Sequence, residues 1–94
     1  MAYDANQALS LMKTRLDRVQ SDSSRDDLFL MQLDAAEQEL ASAGITIQTN
    51  DTRDLMLLID TAVLRYRQRD SQHGDPDWYR LRRRERWLAG NDSR

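Results

Sequence analysis

The chain has 94 residues, of which 14 are basic and 16 acidic, so its net charge is −2, and it contains no cysteine. This length predicts a single domain over residues 1–94, and the lack of cysteine excludes a disulfide framework and thiolate chemistry. No apolar run reaches the roughly 20 residues that a transmembrane helix needs. The N-terminus has no basic region followed by an apolar one, so we expect a soluble, cytosolic protein without a membrane partner.

The charges are distributed unevenly along the chain. Residues 1–64 contain eleven acidic and five basic residues, whereas residues 65–94 contain nine arginines and five acidic residues. Every basic residue except Lys13 is arginine, which suits planar, bidentate contacts with carboxylates or phosphates. A GC-rich genome would produce the same bias, so both explanations stay open.

The first predicted helix runs from Ala5 to about Gln20. Asp4 and Gln7 have the spacing of a capping box at its start. Its apolar residues recur at the spacing of one helical face. They are Leu9, Met12, Leu16 and Val19.

The second predicted helix runs from Arg25 to Ala43, with a cap supplied by residues 21–24. Gly44 follows it at the position where a left-handed residue commonly ends a helix. Its apolar face consists of Phe29, Leu33, Ala36 and Leu40. Its acidic edge consists of Asp34, Glu37 and Glu39.

Residues 45–49 alternate apolar and polar side chains in the manner of a strand. No other segment offers a partner strand. We interpret residues 45–49 as an extended connector whose two isoleucines enter the core, or as a strand completed by another subunit.

The most apolar window, residues 54–69, predicts the central helix. A segment of this length without glycine or proline favours helix over strand, and its acidic start and arginine-rich end suit the helix dipole. We therefore expect an all-α bundle of about four helices, with the isoleucine-rich connector before the third, central helix. The predicted core residues are Leu16, Phe29, Leu33, Leu40, Leu55, Leu58, Ile59, Ala62 and Tyr66.

The last predicted helix spans about residues 76–89. Asp75 and Pro76 have the pattern of an N-cap and a first helical residue. Gly90 and Asn91 mark its end, which leaves a frayed tail over residues 91–94.

The last helix combines arginine and tryptophan, the residue types enriched at protein interfaces and nucleic-acid contacts. Three interpretations are open: a solvated arginine face over a helix anchored in the core by tryptophan, a protein-binding surface, or a nucleic-acid-binding surface. The acidic charge of the whole chain disfavours the third.

Nothing in the sequence predicts catalysis. His73 is the only histidine, and its polar loop predicts a solvated side chain. The chain has no metal-ligand pattern, no glycine-rich phosphate loop, and no base beside its serines. We expect no catalytic residue, no metal site and no cofactor.

Four segments, in this order and spacing, resemble the small head–tail connector (head-completion adaptor) proteins of tailed bacteriophages. They are residues 27–31, 44–47, 58–69 and 76–84. The likeness extends from about residue 9 to residue 90, and it depends on the order of the segments more than on any single motif.

The resemblance implies a helical subunit of the virion, made in the bacterial cytoplasm, that forms a closed ring of about twelve copies at the head–tail joint. Its partners would be other copies, the portal protein and a tail or head-completion protein, with DNA passing through the channel as cargo. We expect the acidic edge of the second helix to contact the last helix of a neighbouring copy. The predicted interface residues are Trp78, Tyr79, Arg80, Arg83, Arg84, Arg86, Trp87, Asp34 and Glu37. The alternative is a nucleic-acid-binding or helical protein-interaction module that uses the same last helix.

Overall fold

The computed structural model describes residues 3–48, 51–68 and 74–92. These residues form four helices, α1 (Ala5–Arg15), α2 (Asp26–Ser42), α3 (Thr52–Gln68) and α4 (Asp77–Asp92). Within these ranges no strand occurs, and α3 contacts each of the other three helices. The predicted all-α bundle around a central third helix is therefore confirmed.

The core lies where one apolar face each of α1 and α2 packs on α3. Phe29 of α2 and Tyr66 of α3 meet edge to face, with ring centroids 5.2 Å apart. Seven of the predicted core residues are buried: Phe29, Leu33, Leu40, Leu58, Ile59, Ala62 and Tyr66. Leu16 and Leu55 are partly buried and pack against this cluster.

Helix α1 ends earlier than its apolar pattern predicted. Asp17 has a left-handed backbone, with φ of 57°. The N–H of Arg18 donates to the carbonyl of Lys13 over 2.8 Å, and that of Asp17 donates to Thr14 over 3.2 Å. This is a Schellman ending with aspartate in the left-handed position, which is usually held by glycine. Val19, predicted on the apolar face, lies beyond this ending and is exposed.

The chain between α1 and α2 is fixed by a lysine and not by the predicted cap. Asp22 accepts a hydrogen bond from the N–H of Ser24 and so closes its own turn, and α2 begins after Arg25 without a side-chain cap. The buried Lys13 donates to the carbonyl of Gln20 over 3.0 Å and lies 2.7 Å from Asp26. Lys13 therefore joins α1 to the first turn of α2.

Helix α2 ends at the predicted glycine. Gly44 has φ of 87°, and the N–H of Ile45 donates to the carbonyl of Leu40 over 2.9 Å. Both Leu40 and Ile45 are buried, which supplies the apolar contact that accompanies this ending.

Over its described residues 45–48, the connector after Gly44 has no regular secondary structure, and its two isoleucines, Ile45 and Ile47, lie in the core. Two of its backbone groups bind within the chain: Gln48 N–H donates to Asp54, and Thr46 C=O accepts from Arg86. These two backbone groups are therefore not available to a pairing strand. This favours the connector interpretation over a strand completed by another subunit.

The start and end of α4 both differ from prediction. The carboxylate of Asp75 binds Arg65 instead of capping α4, and the carbonyl of Pro76 accepts the first helical hydrogen bond. The helix continues through Gly90 to Asp92. Gly44 is followed by an isoleucine that packs in the core, whereas Gly90 is followed by asparagine, so no apolar contact fixes a left-handed turn there.

Some predictions fall on residues outside the described ranges. They concern His73, residues 70–73 of the predicted loop over residues 70–75, residue 49 of the connector, and residues 93–94 of the predicted frayed tail. Among the helices that are described, none is long and apolar enough to cross a bilayer.

Substituting Gly44 with alanine should destabilise the fold. A Cβ atom at this position would lie 2.9 Å from Nε1 of Trp87, and the left-handed backbone costs an L-residue about 1–2 kcal/mol. We expect Gly44→Ala to lower the free energy of unfolding by at least that amount in urea titrations.

The matched control for Gly44→Ala is Asp17→Gly, at the left-handed position that ends α1. Glycine would relieve the left-handed strain at this position but would also raise the conformational entropy of the unfolded chain. Because these two effects oppose each other, the free energy of unfolding should change by less than about 1 kcal/mol. Equal effects of the two substitutions would contradict this account of the helix endings.

Candidate interaction surface

The central helix carries two carboxylates in the interior. The exposed fractions of Asp54 and Asp60 are 0% and 1%. A buried carboxylate is very costly unless it is paired and hydrogen-bonded. The partners of these two side chains therefore constrain how the bundle is assembled.

Asp54 binds the last helix and the connector together. Arg86 of α4 donates to both carboxylate oxygens, from Nε over 2.6 Å and from Nη2 over 3.1 Å. The backbone N–H of Gln48 donates to the same carboxylate over 2.8 Å. Nη2 of Arg86 also donates to the carbonyl of Thr46 over 2.8 Å. The hydrogen bonds to Asp54 raise the pKa of Arg86.

Asp60 joins three helices. Nη1 of Arg15, from α1, lies 2.6 Å from its Oδ1, and Arg82 of α4 donates to its Oδ2. The Arg82 guanidinium also lies over the ring of Trp78, 5.3 Å from the centroid. Arg82 therefore connects a buried carboxylate to an exposed aromatic ring.

Tyr79 is fully buried, which corrects its predicted position at the interface. Its hydroxyl lies 2.7 Å from that of Thr61 on α3, and Thr61 also donates to the carbonyl of Leu57 over 2.8 Å. The ring fits between the helices because its one polar atom has a buried partner. In this structure Tyr79 attaches α4 to α3 and is not accessible to a partner protein.

A third group of charges links α2, α3 and the start of α4. Arg65 binds Glu39 through two hydrogen bonds of 2.9 and 2.7 Å and also binds Asp75. The hydrogen bonds from Arg65 hold the pKa of Asp75 below its ordinary value. Arg83 lies 3.7 Å from Glu39. Arg83, predicted to face an acidic neighbour, therefore has an acidic partner within its own chain.

These contacts turn Arg82, Arg83 and Arg86 of α4 toward carboxylates of the bundle. The large apolar side chains of α4 are exposed, together with other charged residues of this helix. This is the reverse of a helix anchored in the core by tryptophan. We call the exposed large apolar side chains of α4 the α4 apolar surface. They are Trp78, Leu81, Trp87 and Leu88, with exposed fractions from 40% to 60%.

A groove of about 450 Å³ lies between one side of α4 and the end of α2. Its apolar floor and arginine rim bring together four of the predicted interface residues with Tyr79, and we call it the arginine groove. Its lining residues are Ala43, Ile45, Tyr79, Arg80, Arg83, Arg84 and Trp87. Arg80 and Arg84 are exposed, whereas Arg86 lies on the bundle side and binds Asp54.

The two predicted acidic interface residues lie on α2, outside this groove. Asp34 is half-buried and accepts a hydrogen bond from Gln38. Glu37 is half-buried near Tyr3. Burial, reinforced by the nearby charges of Glu37 and Asp34, raises the pKa of Tyr3 to about 12.

The sequence interpretation missed the buried carboxylates and the outward position of Leu81 and Leu88. One signal was present. Asp60 interrupts the most apolar stretch of the chain, and an arginine-rich segment follows it. A carboxylate inside an apolar helical run requires a cation, and this requirement could have predicted the inward side of α4.

Among the described residues, no group of three histidine or acidic side chains could hold a metal ion. No protein-family model, curated protein or solved structure matches this chain.

Removing Arg86 should destabilise the fold strongly, because it leaves Asp54 buried with only a backbone N–H as partner. We expect Arg86→Met to lower the free energy of unfolding by about 3 kcal/mol. Arg84→Met is the matched control on the exposed side and should change it by less than about 0.5 kcal/mol.

A second variant separates loss of charge pairing from loss of packing. Asp54→Leu combined with Arg86→Met removes both charges, so it should be more stable than Arg86→Met alone. Equal stability of the Arg86→Met and Arg84→Met proteins in urea unfolding would contradict the role assigned to the Asp54 pair.

The pair between Arg65 and Asp75 predicts a loss of stability in acid. Because the folded-state pKa of Asp75 is lowered, the folded protein holds this proton less tightly than the unfolded chain. The contribution is complete above about pH 4 and is lost as the pH falls through the lowered pKa. The stability advantage of the wild type over Asp75→Asn should therefore shrink below about pH 4. Urea midpoints measured across pH test this, and an advantage independent of pH would contradict it.

Proposed function

We propose that this protein is a structural assembly subunit, an adaptor of the head–tail connector kind that lies at the head–tail joint of a tailed bacteriophage virion. The observation that supports this most is the α4 apolar surface, which exposes four large apolar side chains on one helix, because exposed apolar surface of this kind commonly marks a binding site. The proposal that the assembly is a connector ring is based on the resemblance of four segments of the chain to the head–tail connector proteins.

The construction of α4 supports a protein partner. Its apolar surface includes two tryptophans, and arginine borders it. Tryptophan and arginine are the residue types that contribute most strongly at interfaces. The same helix is held on α3 by the hydrogen bonds of Arg82 and Arg86 to buried carboxylates, so its exposed side chains belong to a rigid element. A rigid surface loses little conformational entropy when it binds.

The distribution of arginine partners favours this function over nucleic-acid binding. Arg82, Arg83 and Arg86 lie against carboxylates of their own chain. On the described part of α4, Arg80 and Arg84 are the exposed arginines that remain. Phosphate binding depends on the number of cations that contact the backbone, and two arginines in an acidic protein supply few of them.

In the proposed assembly, copies of the chain form a ring against the portal protein, and a tail or head-completion protein binds the opposite side. DNA passes through the ring as cargo. The subunit needs no cofactor, and its role in the particle is mechanical.

The portal protein from the same phage or prophage genome provides the direct test. Purified portal rings should bind the wild-type chain in sedimentation, and Leu81→Asp or Leu88→Asp should weaken binding at least tenfold, as expected for residues central to an interface. Val19→Asp is the matched control, because Val19 is an exposed apolar residue outside α4. Absence of portal binding by the wild type, or equal loss with the Val19 variant, would contradict the proposal.

A further inference from the structure

The outward side of α2 carries an acidic stripe with an apolar residue at its centre. Asp27, Met31, Asp34 and Gln38 recur every three to four residues and so share one helical face. We call them the α2 stripe. Met31 is 69% exposed, and it lies on the side of the helix opposite the buried Leu33 and Leu40. The stripe therefore presents one flexible apolar side chain between two carboxylates.

Four other carboxylates of the bundle are already occupied. Asp54 and Asp60 are buried against arginines, Glu39 binds Arg65, and Asp26 lies beside Lys13. Asp27 is exposed and has no ion pair with any described residue, and Asp34 has only the neutral side chain of Gln38. The α2 stripe thus combines available carboxylates with an exposed apolar side chain.

The arginine groove has the complementary chemistry. Ala43, Ile45 and the ring of Trp87 supply apolar lining. At its rim, Arg84 has no ion pair among the described residues, and the exposed Arg80 has only a 3.7 Å contact with Asp77. Such a groove suits a methionine flanked by carboxylates, because a thioether packs well on an aromatic ring and an exposed arginine can bind a carboxylate bidentately.

We propose that the arginine groove binds the α2 stripe of a second copy of the chain. In this contact Met31 of one copy lies on Trp87 of the next, and Asp34 faces Arg84. The inference rests on the proposed function and specifies its contact between copies. The groove and the stripe share no residue, so the contact is heterologous, and its repetition closes into a ring or continues as a filament.

Charge exchange across this contact gives a sharp test. Arg84→Asp makes the groove acidic, and Asp34→Arg makes the stripe basic. Either variant alone places like charges opposite each other and should raise the dissociation constant for self-association at least tenfold in sedimentation velocity. An equimolar mixture of the two variants should recover association, because each groove then meets a stripe of opposite charge on the other variant.

Two controls make the result specific to these surfaces. Glu85→Arg reverses an exposed charge on α4 that lies outside the groove lining. Arg53→Asp reverses an exposed charge on α3, which is also outside the groove lining. Both should self-associate like the wild type. Circular dichroism establishes that every variant is folded before association is compared.

A second measurement locates the contact directly. The chain has no native cysteine, so a double variant with Asp34→Cys and Arg84→Cys, the two positions that the proposed contact places opposite each other, should form a ladder of disulfide-linked oligomers under oxidation. Val19→Cys with Arg84→Cys should not.

A wild-type chain that stays monomeric across the concentration range, single variants that associate normally, or a mixture that does not recover would each overturn the inference. Portal binding is measured on the same variants, so the two proposals fail separately. Portal binding without sensitivity to charge exchange removes only this contact, and charge-dependent self-association without portal binding removes only the phage adaptor function.

Discussion

The pairing of two buried carboxylates on α3 with arginines from α4 is the interaction on which the rest of this structure depends. Asp54 and Asp60 have almost no exposed surface, and an unpaired charge there would cost several kcal/mol. Arg86 and Arg82 meet that requirement only if α4 lies along α3 with its arginines inward. The same contacts hold the connector, because Arg86 and Asp54 bind its backbone at Thr46 and Gln48.

This polar attachment has a direct consequence for the outer surface of the protein. In α1 and α2 the apolar faces are buried against α3, but in α4 the inward positions are taken by arginines and by Tyr79. The remaining apolar residues of α4 must then face outward. A chain of this length gains limited burial on folding alone, so covering the α4 apolar surface by a partner would add stabilisation. The proposed assembly function depends on this arrangement of inward ion pairs and exposed apolar residues on α4.

Much of the fold could be predicted from the sequence because its signals are local. Apolar spacing marked α2 and α3, Asp4 accepts hydrogen bonds from the N–H groups of Asn6 and Gln7 at the start of α1, and Gly44 ended α2. The predicted end of α1 was wrong because the left-handed backbone of Asp17 depends on how the chain after it packs on the bundle. Helix α4 was predicted in the right part of the chain, although its cap and its end were not. Its inward side could not be predicted from its own sequence, since arginines and apolar residues both recur at helical spacing. Asp54 and Asp60 of α3 determine which residues of α4 face inward, because they pair with its arginines.

Amide hydrogen exchange along α4 is the most direct test of whether buried carboxylates hold this helix in place. In the Asp54→Asn, Asp60→Asn double variant, we expect the α4 amides to lose their protection while those of α2 and the middle of α3 remain protected, because local opening follows the weakest attachment. Protection of α4 that matches the wild type, or an equal loss throughout all four helices, would contradict it.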